Sequence, residues 1–210
     1  MKKTLILLST SAILLTSCVN NPEGDKAQTA DAKEVSALAN GSTLSVDTAA
    51  STLKWHGKKV SGEHFGEIDI TSGHLVVSDA GKLIGGNFVI DMNTIDVQDL
   101  EGEFRDKLTG HLASDDFFDV SNHPTASFEI TEVQDGATAN SHVISGNLTI
   151  RGVTKNITFN AETTELTSES VKANADFNIA REDWGVSYQG KADDLISKEI
   201  NFKINLVAKK

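Results

Sequence analysis

Cysteine, proline and long apolar runs are scarce in this chain of 210 residues. The single cysteine, Cys18, excludes an internal disulfide and any metal site built from paired cysteines. The two prolines, Pro22 and Pro124, lie outside the strand interiors predicted below. The longest apolar run, residues 5–15, is shorter than the about 20 residues that a membrane-spanning helix needs. This run is therefore not predicted to span a membrane.

Positive charge is also in deficit. The chain has 19 Lys and Arg residues against 30 Asp and Glu residues, which gives a formal net charge of −11. Nucleic-acid affinity arises largely from basic side chains that neutralise phosphates, so no nucleic-acid partner is expected. The same deficit argues against attraction to anionic membranes by charge alone. A hydrophobic content of 39% is that of a folded protein, and the length suits one domain with a tail.

The N-terminus has the pattern of a secretory signal. A basic start, Lys2-Lys3, precedes the apolar run, which ends in Leu15-Thr16-Ser17 directly before Cys18. This pattern resembles the lipobox of bacterial lipoproteins, which implies cleavage after residue 17 and acylation of Cys18. Several acyl chains on one cysteine, palmitate among them, would anchor the chain stably. The alternative is an ordinary signal peptide with a chance cysteine at its border.

The composition predicts three segments: a signal peptide over residues 1–17, a lipidated flexible tether over 18–42 and a folded domain over 43–210. The tether is rich in Asn, Ala, Asp, Lys and Gln and has few large apolar side chains to bury. A flexible chain of this length would reach about 27 Å. Because Val rather than Asp follows Cys18, the convention known for enterobacteria favours the outer membrane. The expected location is the cell envelope, facing the periplasm.

Alternation of apolar and polar residues dominates the chain after residue 43. Apolar side chains recur at every second position in many separate segments, which predicts antiparallel strands with one apolar and one wet face. The clearest segments are residues 126–130, 144–150, 153–161, 171–179 and 200–208. The expectation is an all-β fold with eight to ten strands.

One segment departs from this pattern. Apolar residues recur at spacings of three and four from Val97 to Leu112, which predicts one short helix at about 97–112 with Asp96 as its N-cap. Gly102 in its middle weakens a helix by about 1 kcal/mol relative to Ala, so a short or broken helix is expected. We expect this helix to lie across one end of the sheet.

Three all-β architectures have to be compared. An outer-membrane barrel would place its apolar face in lipid, but the opposite faces of these strands have Asn, Lys and Glu, which require water. A sandwich and a soluble closed barrel both remain possible. An up-and-down run of hairpins followed by one helix favours the barrel.

Several blocks resemble the YceI family. They are KLTGHLASDDFFDV (107–120), HPTASF (123–128), GNLTIRGVTK (146–155) and REDWGV (181–186), preceded by a weaker match at STLKW (51–55). The resemblance covers about residues 44–208. It implies an extended, antiparallel, lipocalin-like barrel whose interior holds a long isoprenoid chain or a similar lipid. Members are typically secreted or periplasmic and are not established enzymes. His123 departs from the family pattern, which usually has an aromatic residue there.

Residues on the predicted inner face alternate between large and small, which could leave an elongated apolar slot. From the residues alone, the alternation favours a tapered, filled core, and the resemblance reverses this preference in favour of the slot. No cofactor is predicted beyond a bound isoprenoid-type lipid or quinone. The predicted ligand-binding residues are Trp55, Phe88, Ile90, Phe128, Leu148, Ile150, Phe159, Phe177, Phe202 and Ile204.

A few polar residues are candidates for a head-group contact or for a clasp that holds the helix. They are His64, Arg105, Asp106, His111 and Arg181. The histidine spacings match no structural zinc site, and no metal is predicted. The acidic run at residues 115–119 lacks the Gly and Glu of a calcium-binding loop.

The sequence therefore predicts a membrane-tethered carrier for a long apolar lipid, a polyprenyl or quinone tail, and no catalytic residue. One alternative is a lipid-modifying hydrolase or isomerase that uses His64, His111 and Arg105 at the cavity mouth. This alternative requires the three side chains to converge within hydrogen-bonding distance. A second alternative is an interaction lipoprotein with a filled core.

Overall fold

The computed structural model describes residues 19–35 and 40–210. The predicted signal peptide and the predicted attachment site, Cys18, lie outside the described residues, as do residues 36–39 of the predicted tether. Among the described helices, none is long and apolar enough to cross a membrane.

The described residues are mostly β-strand. The strands before the helix are β1 (Asp25–Lys26), β2 (Gln28–Asp31), β3 (Gly41–Val46), β4 (Thr52–Lys59), β5 (Gly62–Ile68), β6 (Ile70–Ser78), β7 (Leu83–Asp91) and β8 (Asp96–Val97). The strands after it are β9 (Thr125–Asp135), β10 (Ser141–Ile150), β11 (Val153–Leu166), β12 (Ser170–Ala180), β13 (Gly190–Lys191) and β14 (Asp194–Lys209). The helix α1 is Gly102–Ala113, and 3₁₀ turns lie at Met92–Thr94 and Arg181–Trp184.

Eight strands close into a ring. Its order is β12, β11, β10, β9, β7, β6, β3 and β14, and β14 returns to β12. Every neighbouring pair in this ring is antiparallel. Strand β4 continues the line of β3 along β14, and β5 continues the line of β6 along β4. The predicted lipocalin-like antiparallel barrel is therefore confirmed.

Residues that alternate along each strand face the inside and the outside of this barrel in turn, as the period-two pattern predicted. Phe177 and Phe202 are paired across β12 and β14 and lie inside, whereas the neighbouring Asn178 and Asn201 lie on the outer face. Inside, Gly146 makes room for an aromatic ring, because a Cβ at that position would lie 2.2 Å from Cζ of Phe128. A larger residue at that position would have to displace the ring of Phe128.

The antiparallel order gives the barrel two distinct ends. We call the end with the β4–β5, β10–β11 and β13–β14 turns the mouth end, and α1 lies there too. We call the end with the β6–β7, β9–β10 and β11–β12 turns the closed end. The strand pairings fix this assignment, because the last residues of β12 pair with the first residues of β14 near the mouth end.

The helix differs from the predicted span of 97–112. Val97 belongs instead to β8, where it pairs with Gly66 of β5. Gly102 begins the helix with a φ of +55°, a backbone conformation that glycine adopts without the strain that other residues incur. The helical stripe is also incomplete, because Phe104 is 70% exposed while Leu112 is buried. The first residue of the predicted stripe, Val97, is therefore part of the sheet and not of the helix.

Residues 19–35 correct the prediction of a flexible tether. Strand β1 pairs in parallel with β12, and β2 pairs with β11 in antiparallel fashion. Strands β11 and β12 pair with each other only from Ala161 and Ala175 toward the closed end, so their edges diverge toward the mouth end. We call residues 19–35 the strap, because its main chain fills this gap. Unpaired strand edges favour such pairing whatever the side chains are.

Candidate functional site

The barrel interior contains an elongated cavity of about 440 Å³. Ligand pockets commonly occupy about 300–1,000 Å³, so this volume suits a single small or elongated guest. Interior side chains such as Phe88, Phe159 and Ile204 are only partly buried although they point inward. Their exposure is toward the cavity. This finding contradicts the alternative of a filled core.

Every side chain that the sequence predicted to face a ligand lines this cavity. They are Trp55, Phe88, Ile90, Phe128, Leu148, Ile150, Phe159, Phe177, Phe202 and Ile204. The agreement follows from strand geometry, because residues that alternate along one strand share one face. Their contact with a ligand stays a prediction.

Five phenylalanines form a belt around the middle of the cavity. Their ring centroids are 6.4 Å apart for Phe88 and Phe128, 5.7 Å for Phe128 and Phe159, 4.1 Å for Phe159 and Phe177, and 6.2 Å for Phe177 and Phe202. The belt crosses β7, β9, β11, β12 and β14. Offset and tilted aromatic contacts of this kind stabilise the wall beyond the area they bury. The belt leaves the axis of the cavity open.

The two ends of the cavity differ in polarity. At the closed end, the lining residues are mostly apolar, as at Leu75, Leu83 and Ile144, and Asn174 is the polar exception. The charged residues Lys58, Lys59, Lys191 and Asp194 line it at the mouth end. A wall of this polarity would orient a guest with one polar end, with its apolar chain toward the closed end and its polar group toward the mouth.

Hydrogen bonds join the β4–β5 and β13–β14 hairpins at the mouth. Asp194 accepts hydrogen bonds from Nζ of Lys59 at 2.8 Å and from the backbone N–H of Ser61 at 2.9 Å. The backbone N–H of Val60 donates to the carbonyl of Leu195 at 3.0 Å. The hydrogen bond from Lys59 and those from Ser61 lower the pKa of Asp194 to about 2. The carboxylate therefore stays ionised at neutral pH and keeps the β4–β5 and β13–β14 hairpins joined.

His64 lies at the same rim and is held by a carboxylate. Its Nδ1 is 2.7 Å from Oδ2 of Asp99, whose other oxygen accepts from the backbone N–H of Phe65 at 3.0 Å. Burial alone would raise the pKa of Asp99. The hydrogen bonds from His64 and Phe65 outweigh it, so this pKa lies below its ordinary value. Nearby, Nε1 of Trp55 donates to the carbonyl of Asp96 at 3.1 Å, which fixes the indole against the cavity.

Helix α1 also lies at the mouth end. Leu108, His111 and Leu112 line the cavity, as expected for a helix across one end. The imidazole of His111 packs edge-on against Phe117 and Tyr188, with ring centroids 4.9 Å apart in both cases. Tyr188 was not among the predicted site residues, because it lies in an irregular loop where no periodicity marks an inward direction.

Two of the remaining polar candidates, Arg105 and Arg181, have structural partners. Arg105 is on the exposed half of α1 and pairs with Asp96, and Asp106 is exposed. Buried Arg181 donates from Nε to the carbonyl of Ser197 at 2.9 Å and from Nη1 to that of Val186 at 2.7 Å. Burial lowers the pKa of Arg181 and the charge of Glu182 opposes this effect. Arg181 thus clasps the 3₁₀ turn to β14.

The structure does not bring the proposed catalytic residues together. His64 is paired with Asp99, His111 has its Nε2 3.1 Å from Oδ2 of Asp116, and Arg105 does not line the cavity. The convergence that a hydrolase or isomerase would require is therefore not observed. Over residues 19–35 and 40–210, no group of three or more potential metal ligands comes together.

The ring, the cavity and its polarity define a lipocalin-like barrel with an internal apolar slot. Residues 44–208 match the family model described as YceI-like domain, so the chain belongs to the YceI family. Among solved structures, it is similar to BcnA of Burkholderia cenocepacia, with a TM-score of 0.65 and 21% identity over 78% of this chain and 99% of that one. It is also similar to a polyisoprenoid binding domain from Saccharophagus degradans, with a TM-score of 0.58 and 17% identity over 81% and 99% of the two chains.

Similarity in sequence extends to the UPF0312 proteins. One from Pseudomonas aeruginosa is 48% identical over 73 residues, which are 35% of this chain and 34% of that protein. One from Shewanella denitrificans is 39% identical over 85 residues, or 40% and 42% of the two chains. The chain thus aligns with only about a third to two fifths of these relatives.

Proposed function

We propose that this protein binds one long apolar lipid of isoprenoid type, a polyprenyl or quinone tail, inside the barrel and carries it at a membrane surface. The observation that supports this most strongly is the apolar cavity of about 440 Å³ with a charged rim at one end. The likeness to a polyisoprenoid binding domain supports the same ligand class.

The energetics of burial favour a long chain. Each buried methylene contributes about 0.8 kcal/mol, so fifteen of them would give about 12 kcal/mol before costs. Association itself costs about 4–15 kcal/mol. A short fatty acid would leave little net affinity in a slot without buried charged partners at its closed end. A polyprenyl or quinone tail has the apolar length to exceed this cost.

The mouth supplies the selectivity for the polar group. Lys58, Lys59 and Lys191 can donate hydrogen bonds to a carbonyl, hydroxyl or phosphate oxygen at the rim. The phenylalanine belt requires a thin, flexible chain, since its rings come from five strands around the axis. Each guest would therefore enter tail first and leave its head group at the mouth.

Membrane attachment through acylated Cys18 is part of the proposal. The lipobox resemblance supports it, and Cys18 would place the carrier in the cell envelope at the surface that holds its ligand. A carrier fixed there would exchange lipid with the membrane directly, and the protein would not have to diffuse through water. Acylation at a single cysteine with more than one chain is sufficient for stable anchoring.

Native mass spectrometry of a soluble chain, residues 19–210, tests the lipid proposal. This chain includes every strand of the ring and the strap. We expect a co-purifying adduct whose mass matches an isoprenoid lipid after extraction. Added quinone should raise the melting temperature of the emptied protein, because a ligand at 100 times its Kd stabilises the native state by about 2.7 kcal/mol.

A saturated fatty acid of short chain is the matched control ligand. It should produce a much smaller shift, because it buries fewer methylenes. Absence of any adduct, together with no thermal shift from polyprenyl or quinone compounds, would refute the proposal. An adduct that proves to be a phospholipid would replace the isoprenoid class with another.

A further inference from the structure

The first described residues of the strap lie at the mouth end. Val19 and Asn20 line a shallow depression together with the β4–β5 turn, residues 58–63. Two of these residues, Lys58 and Lys59, also line the cavity. In the sequence, Val19 directly follows Cys18.

The strap fastens this position to the barrel. Oγ of Ser197 donates to Oδ1 of Asn21 at 2.8 Å, and Nδ2 of Asn178 donates to the carbonyl of Pro22 at 2.9 Å. The backbone N–H of Ala27 then donates to the carbonyl of Asn178 at 2.8 Å. Ala27 is itself buried in the core cluster. These contacts follow Cys18 within a few residues, so little free chain separates it from the barrel.

Further contacts hold the distal part of the strap. Asn147 accepts from the backbone N–H of Lys33 at 3.0 Å and donates to the carbonyl of Lys33 at 2.7 Å, so one amide side chain clamps one residue from both sides. Nζ of Lys155 is 3.0 Å from a carboxylate oxygen of Asp31. The strap is therefore bound along its length.

Exposed apolar side chains lie at the same end of the barrel. Val60 is at the tip of the β4–β5 hairpin, Phe104 is in the first turn of α1, and Val153 begins β11. Single exposed apolar residues are ordinary on a protein surface. Here they surround the end to which the chain's first docked residues lead. A bilayer surface would bury them.

We propose that the strap holds the mouth of the cavity directly against the membrane in which Cys18 is anchored. This inference rests on the proposed function, because it requires acylated Cys18. The partner is the bilayer surface itself. In this orientation a lipid tail passes from the bilayer into the slot without exposure to water, and the closed end points away from the membrane.

The test uses the acylated full-length protein in vesicles of phosphatidylethanolamine and phosphatidylglycerol. Ala192→Cys lies in the β13–β14 turn at the mouth end, and Ala80→Cys lies in the β6–β7 turn at the closed end. Both alanines are exposed and in tight turns, so they are matched. In the acylated protein the thiol of Cys18 is blocked, and a fluorescent maleimide therefore labels only the introduced cysteine.

Spin-labelled lipid then reports which label is near the bilayer. We expect at least threefold stronger quenching of the label at position 192 than at position 80. Equal quenching in protein whose N-terminal peptide has the mass of an acylated cysteine would overturn the orientation and leave lipid binding by the soluble chain intact. An unmodified N-terminal peptide would overturn both the anchor and this inference.

A linker variant tests the role of the strap. Twenty Gly and Ser residues inserted between Cys18 and Val19 would add about 25 Å of flexible reach. We expect quenching at position 192 to fall to the value at position 80. Quenching that stays threefold stronger with the linker would overturn the role of the strap in orienting the mouth.

Discussion

Strands β12 and β14 are covered on both faces, and the two faces are covered by different means. Inside, Phe177 and Phe202 face the cavity and interact through aromatic and apolar contacts. Outside, Asn178, Asn201 and Glu199 are buried beneath the strap and interact through hydrogen bonds. The same alternation thus produces an inner wall that makes apolar contacts with the cavity and an outer surface that makes hydrogen bonds with the main chain of the strap.

The difference lies in what each face tolerates. An apolar wall beside a cavity can lose or gain volume, because its lining atoms already lack partners on one side. A buried polar face cannot lose a partner in the same way, because an unsatisfied donor or acceptor keeps its full desolvation cost. We therefore expect interior substitutions to change binding and outer-face substitutions to change stability.

The largest expected effect comes from filling the cavity. Ala161 and Ala175 are paired across β11 and β12, and both line the slot. The double variant Ala161→Phe/Ala175→Phe would displace about four methylenes of ligand, or about 3 kcal/mol, which is about a hundredfold in Kd. Quinone binding measured by tryptophan fluorescence checks this, and the melting temperature should not fall.

Ala80→Phe is the control for this variant, because position 80 is an exposed turn at the closed end. It should bind lipid as the unmodified protein does. If the double variant binds lipid normally while it remains folded, the ligand does not occupy the belt region, and the inner face is not the binding surface.

The next effect tests the outer face. Asn178→Ala removes the hydrogen bonds to the carbonyl of Pro22 and to Oε2 of Glu199, and it leaves Nδ2 of Asn201 without one acceptor. Loss of several buried partners should cost about 3 kcal/mol of unfolding free energy. Urea unfolding measures this cost, and lipid affinity should change little.

Asn160→Ala on the neighbouring strand β11 is the matched control. Asn160 is exposed and is not among the residues that line the cavity. Substitutions at such surfaces usually stay within about 0.5 kcal/mol. Equal destabilisation by the two variants would mean that burial beneath the strap adds nothing to the outer face.

This contrast also explains what could be predicted from the sequence. The ring and its lining residues were predictable because the inward direction of a strand residue follows from period two and from its neighbours. The covered outer face was not predictable, since Asn178 and Asn201 have the polarity of a solvated face. Their partner is a main chain, and main-chain hydrogen bonding leaves no side-chain pattern in residues 19–35.

Two further elements were misplaced for related reasons. The stripe from Val97 to Leu112 combines a strand residue with helical ones, and spacing alone does not separate them. The positive φ of Gly102 marks the boundary, but only the folded backbone reveals it. Tyr188 in turn reaches the cavity from a loop, where direction depends on tertiary contacts.

A smaller effect is expected at Gly24, which lies against the asparagines of the outer face. Its φ is +137°, and a Cβ there would be 2.4 Å from Nδ2 of Asn201. Gly24→Ala should cost about 2 kcal/mol, from backbone strain and from displacement of the asparagine. Hydrogen exchange should locate the change in β1 and β2.

Gly81→Ala separates strain from steric overlap. Gly81 also has positive φ, +76°, but a Cβ at this position would have no neighbouring atom within 4 Å. The substitution should cost about 1 kcal/mol from strain alone. Similar losses for both variants would indicate that the strap moves freely enough to accommodate a methyl group.

The smallest effect concerns pH at the rim that joins the two faces. The pKa of Asp194 is lowered from 3.8 to about 2 by its hydrogen bonds to Lys59 and Ser61. A lowered folded-state pKa stabilises the protein above the unfolded value, so this contribution is present above about pH 4 and is lost as the pH falls toward 2. Asp194→Asn should therefore reduce the slope of unfolding free energy against pH in this window, as measured by urea unfolding at successive pH values. Asp193→Asn, one residue earlier and exposed, changes the net charge equally and should leave the slope as it is. If both variants change the slope alike, acid destabilises the protein through its overall charge, and not through loss of the hydrogen bonds at Asp194.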